Sequence, residues 1–169
     1  MADSSNTAVL AEPELVITRT FDAPRSLVFR LWTDPEHARS WWGPSDYPAT
    51  HVEIGRRPGD RWRCCLRSKE DGRELWQGGV LRELVEPERL VFTFAWDEAG
   101  ERGLETLVTV TLAERAGKTV MTFRQTPFRS VAERDGHREG WTSTFNRLDA
   151  LLAQLQRSGT SNPKAALES

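Results

Sequence analysis

The chain of 169 residues contains few of the side chains that carry covalent or redox chemistry. It has two cysteines, three histidines, two methionines and one tyrosine. The cysteines, Cys64 and Cys65, are neighbours in a predicted strand, where successive side chains point to opposite faces. The two thiols are therefore expected to diverge, which excludes a disulfide framework and is typical of a reducing compartment.

Long apolar runs and an excess of basic charge are also lacking. No stretch of about 18 apolar residues occurs, so the sequence predicts no transmembrane helix. The opening residues MADSSNTAVLAEPE have neither a basic region nor an apolar region of a signal peptide. With a formal net charge of -2, the chain has no basic footprint of a nucleic-acid binder. We expect a cytoplasmic protein without nucleic-acid partners or membrane insertion.

Tryptophan is what the sequence has in quantity. Three of its seven tryptophans lie in FDAPRSLVFRLWTDPEHARSWWGP. Trp32 ends a predicted helix that Pro24 opens, and Trp41 and Trp42 close a second short helical segment. Two adjacent side chains cannot both point inward from one helical turn. One ring of the pair is therefore expected at the rim of a pocket, with the others either in its walls or in the core.

The order of the predicted elements indicates an α+β fold. Leu15–Phe21 reads as a strand, two short helices follow, and alternation with turn signals continues from Ala49 to Gln125. The last element is an amphipathic helix with apolar residues at Trp141, Phe145, Leu148, Leu152 and Leu155. We predict a curved antiparallel sheet of about six or seven strands around this helix. Residues 14–157 form one predicted domain, and residues 1–13 and 158–169 are predicted to be flexible tails.

Four stretches resemble a known family. They are LVITRTFDAPRSLVFRLWTDPEHARSWWGP, RRPGDRWRCCLRSKEDG, GGVLRELVEPERLVFTFAW and DGHREGWTSTFNRLDALL. Together they resemble the SRPBCC, or START-like, superfamily, in the branch of homologues of the activator of the ninety-kilodalton heat-shock protein's ATPase (AHSA-type). The chain departs from the family turn at Gly59–Asp60, where two glycines are usual. The resemblance implies a helix-grip fold with a largely apolar cavity, and functions vary so widely in the superfamily that the fold does not give the function.

The inward faces of the strands and of the long helix supply the candidate cavity residues. Gln125 shares the phase of Met121 and Phe123, so its amide is expected to point inward, toward nearby backbone or the polar head of a ligand. Thr144 and Arg124 are weaker polar candidates. The predicted lining consists of Trp32, Trp41, Trp42, Trp62, Cys64, Trp76, Phe92, Phe94, Met121, Phe123, Gln125, Trp141 and Phe145.

Metal and nucleophile chemistry find little support in the sequence. The three histidines belong to different predicted elements. His51 and Glu53 share one face of a short strand, but no third ligand is linked to them by a motif. The sequence has no GxSxG and no glycine-rich phosphate loop. We expect neither a metal nor a cofactor, and name no catalytic residue.

Three functions stay open at this level. The first is non-catalytic binding of a small apolar or amphipathic molecule, such as a lipid, in the helix–sheet cavity. The second is a cyclase or hydrolase type of enzyme, which needs polar side chains to converge, with Gln125, His137 and Glu105 to be checked. The third is a protein-interaction module, such as a stress-related chaperone cofactor or a regulator's partner, with an exposed apolar patch around Trp42. Monomer and homodimer are both compatible with the sequence.

Overall fold

The computed structural model describes residues 13–98 and 101–161. Most of the two predicted tails, residues 1–12 and 162–169, lies outside this range. The described elements are β1 (Leu15–Phe21), α1 (Arg25–Thr33), α2 (Pro35–Arg39), β2 (Ala49–Ile54), β3 (Arg61–Arg67), β4 (Glu74–Val85), β5 (Arg89–Glu98), β6 (Glu101–Arg102), β7 (Thr106–Arg115), β8 (Lys118–Thr126) and α3 (Val131–Ser161). None of the described helices is long and apolar enough to cross a membrane.

The strands form one antiparallel sheet in the order β1-β8-β7-β5-β4-β3-β2, with the two-residue β6 paired to β5. This confirms the predicted helix-grip fold, since the sheet is curved and a single long helix follows it. The β7–β8 hairpin turns at Ala116 and Gly117, which have φ angles of 53° and 80°. Positive φ at both positions matches the twist of a two-residue hairpin turn.

Local hydrogen bonds explain where the shorter helix and the long helix begin. The Asp34 carboxylate accepts from the backbone N–H of Glu36 and caps α2. Ser130 Oγ accepts from the backbone N–H of Glu133 at the start of α3. This helix has 31 residues, runs through Gly136 and Gly140, and ends beyond residue 157, the predicted end of the domain.

The apolar stripe of α3 packs on the inner face of the sheet. Trp141, Phe145, Leu148 and Leu152 are buried in one core with side chains of the strands and of α1. Trp32 lies in the middle of this core, with ring centroids 4.9 Å from Trp41 and 5.5 Å from Trp42. The interior is therefore filled mainly by aromatic rings.

Both members of the Trp41–Trp42 pair are buried, with 0% and 4% of their surfaces exposed. The expectation that the two side chains cannot both point inward was therefore wrong, and no apolar surface patch forms at Trp42 itself. The reason is local: α2 ends at Arg39, so the pair lies in a turn and not in a helix. Gly43 follows with φ of 91°, a backbone conformation that suits glycine.

Arg147 ties this turn to α3. Its guanidinium donates to the carbonyl oxygens of Trp42, Gly43 and Ser40, at distances of 2.9, 2.8 and 3.1 Å. Ser143 Oγ on the same helix accepts from the backbone N–H of Ser45. Two turns of α3 thus hold the segment that follows α2 in place.

Candidate functional site

A cavity of about 150 Å³ lies between α3, the turn after α2 and the strands β3, β4 and β5. Its margin reaches the protein surface, since Gly136 is exposed and Tyr47 and His137 are partly exposed. The residues around it are Trp42, Gly43, Pro44, Tyr47, Leu66, Leu75, Gln77, Phe94, Trp96, Gly136, His137, Gly140, Trp141 and Thr144. None of the described residues in this lining is a lysine, arginine, aspartate or glutamate.

Two glycines of α3 provide part of the space. Gly136 and Gly140 are one helical turn apart and both line the cavity. Beyond the adjacent residues and the nearby backbone of the helix itself, a Cβ atom placed on either glycine would have no described atom within 4 Å. Glycine inside a helix costs about 1 kcal/mol relative to alanine, and nothing steric requires glycine here. The helix is therefore less stable than it could be at the two positions where its backbone faces the cavity.

Gln77 and His137 are the polar side chains of the lining that accept hydrogen bonds from tryptophan. The Trp42 indole N–H donates to Gln77 Oε1 at 2.7 Å, and the Trp96 indole N–H donates to His137 Nε2 at 3.2 Å. Burial lowers the pKa of His137, and the carboxylate of Glu133 opposes this shift in part. The ring is therefore neutral at pH 7, with Nε2 as its unprotonated nitrogen.

Three predicted cavity residues, Trp42, Phe94 and Trp141, line this cavity. Trp32, Trp62 and Phe92 lie instead around a separate void of about 20 Å³, which Trp42 also borders. The remaining apolar candidates are packed in the core away from the cavity: Trp41, Cys64, Met121, Phe123 and Phe145. A ligand-binding role for any of these residues stays a prediction.

Gln125 points inward as predicted but contributes nothing to the cavity. It is fully buried, accepts from the Trp141 indole at 2.9 Å and donates to Thr106 Oγ1 at 2.9 Å. Glu105 is exposed and pairs with Arg102. Of the three side chains that a catalytic site was expected to bring together, only His137 lines the cavity.

Trp76 was expected in the lining and lies on the opposite face of the sheet. In β4 the inward phase belongs to Leu75 and Gln77, which pair with Leu66 and Cys64 of β3. Trp76 is consequently directed outward, and the Arg63 guanidinium lies 4.0 Å from its ring centroid. The alternation within β3 could not fix this phase, since the sequence alone does not give the pairing of β4.

The sequence contains a signal for several cavity residues that the predicted lining did not include. His137 and Gly140 precede Trp141 in α3 and Thr144 follows it, at helical spacings of three and four residues. Trp96 continues the inward phase of Phe92 and Phe94 in the same way. Gln77 had no such signal, because its register depends on strand pairing.

Acid–base and metal groupings are sparse in the described part of the chain. No group of three or more His, Cys, Asp or Glu side chains that could hold a metal ion occurs among the described residues. His51 and Glu53 contact each other on the exposed edge strand β2. Cys64 and Cys65 are free thiols, and both are buried.

Comparisons with known proteins agree with this architecture. The family model described as "Activator of Hsp90 ATPase homolog 1-like protein" matches residues 22–153. A crystal structure of a protein from Chromobacterium violaceum is similar at a TM-score of 0.76 and 25% identity, over 82% of this chain and 96% of that one. The AHSA1 protein from Silicibacter pomeroyi is similar at 0.77 and 24%, over 84% and 99%. A Mycobacterium smegmatis protein is similar at 0.70 and 26%, over 82% and 90%. No curated protein sequence matches the chain.

Proposed function

The chain belongs to the family of Activator of Hsp90 ATPase homolog 1-like proteins, and we propose that it binds a compact apolar molecule in the cavity between α3 and the sheet. Its aromatic and aliphatic walls favour an apolar ligand because transfer of apolar surface from water is favourable. The space suits a single six-membered ring, since an apolar cavity of about 150 Å³ is large enough to hold benzene.

The observation that carries this proposal is the pair of glycines in α3. Alanine would fit at Gly136 and Gly140 without a clash and would favour the helix by about 1 kcal/mol at each position. A core without a binding role gains from filling such space, since unfilled volume forfeits contacts. Two glycines on the face that lines the cavity leave that space free for a bound molecule.

Gly140 also offers the sharpest test. We expect benzene and toluene to bind the wild-type protein, with a change in tryptophan fluorescence because Trp42, Trp96 and Trp141 surround the cavity. In Gly140→Leu the new side chain occupies the cavity and binding is lost. Ala150→Leu places the same side chain on an exposed part of the same helix and should leave binding unchanged.

Two outcomes would refute the proposal. One is a wild-type protein whose fluorescence and ligand NMR signals do not respond to benzene or toluene. The other is undiminished binding in a folded Gly140→Leu variant. Either result would direct attention to a protein partner, which the filled aromatic interior also permits.

A further inference from the structure

The orientation of the Gln77 amide is fixed by its neighbour. An indole N–H is only a donor, so the group that faces Trp42 Nε1 at 2.7 Å must be the Gln77 oxygen. The amide nitrogen, Nε2, is thereby directed elsewhere. Within the described part of the chain it donates to no acceptor. Gln77 is nevertheless 97% buried, with 3% of its surface exposed.

The amide nitrogen of Gln77 is not completely buried. Among the described residues, Trp32 Nε1 is the only side-chain polar atom that is both sealed and unpaired. Since Gln77 Nε2 is unpaired and is not in this class, part of its surface must be accessible to solvent. Its side chain lies on the inner face of β4, where Trp42 contacts it and where the cavity opens. A donor of this kind, surrounded by apolar walls, needs an acceptor from whatever fills the cavity.

Gln125 provides the contrast within the same protein. It also accepts from a tryptophan indole, but its nitrogen donates to Thr106 Oγ1. It is fully buried and does not line the cavity. Among the described residues there are two buried tryptophan–glutamine pairs, and of these the pair at the cavity leaves its amide nitrogen unpaired.

The other polar groups of the lining restrict the charge of the ligand. The Thr144 hydroxyl donates to the Gly140 carbonyl at 2.8 Å, and His137 Nε2 is taken by Trp96. Tyr47 lies at the margin and is partly exposed. With no lysine, arginine, aspartate or glutamate in the lining, an ionised group would lose its hydration without a partner charge.

We infer that the ligand is an uncharged, ring-sized molecule bearing one acceptor oxygen, such as a carbonyl, which accepts a hydrogen bond from Gln77 Nε2. This inference rests on the proposed function, since it concerns the same cavity. Gln77 is then a specificity-determining residue that selects for a ketone or a similar oxygen among molecules of equal shape.

The test compares cyclohexanone with methylenecyclohexane, which has the same shape but a CH₂ group in place of the oxygen. The measured quantity is the ratio of the two dissociation constants in wild type, Gln77→Met and Gln125→Met. A hydrocarbon leaves water more readily than a ketone, so the ratio is compared between variants and not read alone. We expect Gln77→Met to weaken ketone binding relative to hydrocarbon binding by about fivefold, which corresponds to about one hydrogen bond. Gln125→Met removes the matched amide and should leave the ratio unchanged.

A second measurement uses the wild-type protein and therefore tests the inference even if Gln77→Met fails to fold. The side-chain NH₂ proton signals of Gln77 should move downfield when cyclohexanone is added, and should not do so with methylenecyclohexane. An unchanged ratio in Gln77→Met, or the same signal movement with both molecules, would overturn the inference while leaving the proposed function intact. If neither molecule binds, both the inference and the proposed function fail.

Discussion

At the scale of single residues, the buried tryptophans differ in whether their indole N–H has a hydrogen-bond acceptor. Trp41 donates to the Leu31 carbonyl at 3.0 Å, and Trp62 donates to the Thr93 carbonyl at 2.8 Å. Trp32 Nε1 has no hydrogen-bond partner within the described part of the chain, although only 2% of the residue's surface is exposed. An unpaired buried donor costs about 1–3 kcal/mol, so these indoles differ in what their nitrogen contributes to stability.

Substituting Trp32 and Trp41 by phenylalanine separates this effect from packing. Both variants lose the same ring atoms from the core, but only Trp41→Phe leaves a buried carbonyl without its donor. Trp32→Phe removes a donor that had no acceptor. We expect Trp41→Phe to lower the free energy of unfolding by about 1 kcal/mol more than Trp32→Phe, measured by urea unfolding. Equal losses, or a larger loss for Trp32→Phe, would contradict this account.

His137 gives the protein a dependence of stability on pH. Burial lowers the pKa of the His137 imidazole in the folded state, whereas in the unfolded chain the imidazole has its ordinary pKa of about 6.5. As the pH falls below this value, the unfolded chain takes up the proton before the folded protein does. The stability that the neutral imidazole contributes is therefore present at neutral pH and is lost as the pH falls. Protonation also removes the lone pair that accepts from Trp96.

We therefore expect the wild-type free energy of unfolding to fall between pH 7 and pH 5 more steeply than that of His137→Gln. Urea unfolding at several pH values measures both slopes. His137→Gln also changes the acceptor of the Trp96 indole N–H, which can lower the free energy of unfolding at every pH. The titration of His137 is therefore read from the difference between the two pH slopes and not from the stability at pH 7. Parallel slopes would mean that His137 does not titrate differently in the two states.

At the scale of elements, α3 does more than cover the sheet. Its N-terminal half lines the cavity through Gly136, Gly140 and Thr144, and its middle holds the turn after α2 through Arg147. Burial lowers the pKa of Arg147, but an arginine stays charged in proteins. Carbonyl oxygens at the end of a helix and in a turn are suitable partners for this charge.

Removing that charge should loosen the turn. We expect Arg147→Met, which keeps most of the aliphatic stem, to lower the free energy of unfolding by about 2 kcal/mol, since hydrogen bonds to charged groups are the stronger ones. Arg157→Met, at an exposed position of the same helix, should change it by less than about 0.5 kcal/mol. Similar effects of the two substitutions in urea unfolding would show that the three carbonyl contacts contribute little.

Element patterns account for most of what the sequence predicted correctly. The stripe on α3 and the alternation in β1, β7 and β8 each follow from a side-chain period, and their residues lie where that period puts them. The same reasoning could not predict which face of the sheet Trp76 and Gln77 occupy. Adjacent glycines, Gly78 and Gly79, lie within β4, and its pairing with β5 shifts between Leu81 and Glu83. Which face each residue takes is decided by contacts across strands, which the sequence of one strand does not contain.

At the scale of the whole molecule, the order of strands and helices was predictable and the content of the interior was not. Whether a curved sheet and a helix enclose a large cavity depends on how the side chains between them pack. Here Trp32, Trp41, Trp42, Trp62 and Phe92 fill one end, leaving a void of about 20 Å³. The larger of these two interior spaces, about 150 Å³, lies at the end where α3 carries its glycines.

This division of the interior predicts which ligands are too large. We expect palmitate to leave bound benzene undisturbed in a fluorescence competition, because a long acyl chain cannot be buried in a space that suits one ring. Toluene serves as the positive control for displacement. Stoichiometric displacement by palmitate would mean that the aromatic cluster opens in solution, and the lining would have to be redefined to include it.

The aromatic cluster also has an optical consequence. Trp32 lies within 6.3 Å, between ring centroids, of Trp41, Trp42 and Trp141. Indoles so close together exchange excitation before they emit, so light emitted by the native protein should be strongly depolarised even though the rings hardly move. Their coupled transitions should likewise add paired bands of opposite sign to the far-ultraviolet circular dichroism. A helix content read from that spectrum would be distorted by the tryptophans, and unfolding should abolish the paired bands because they need the fixed geometry of the rings.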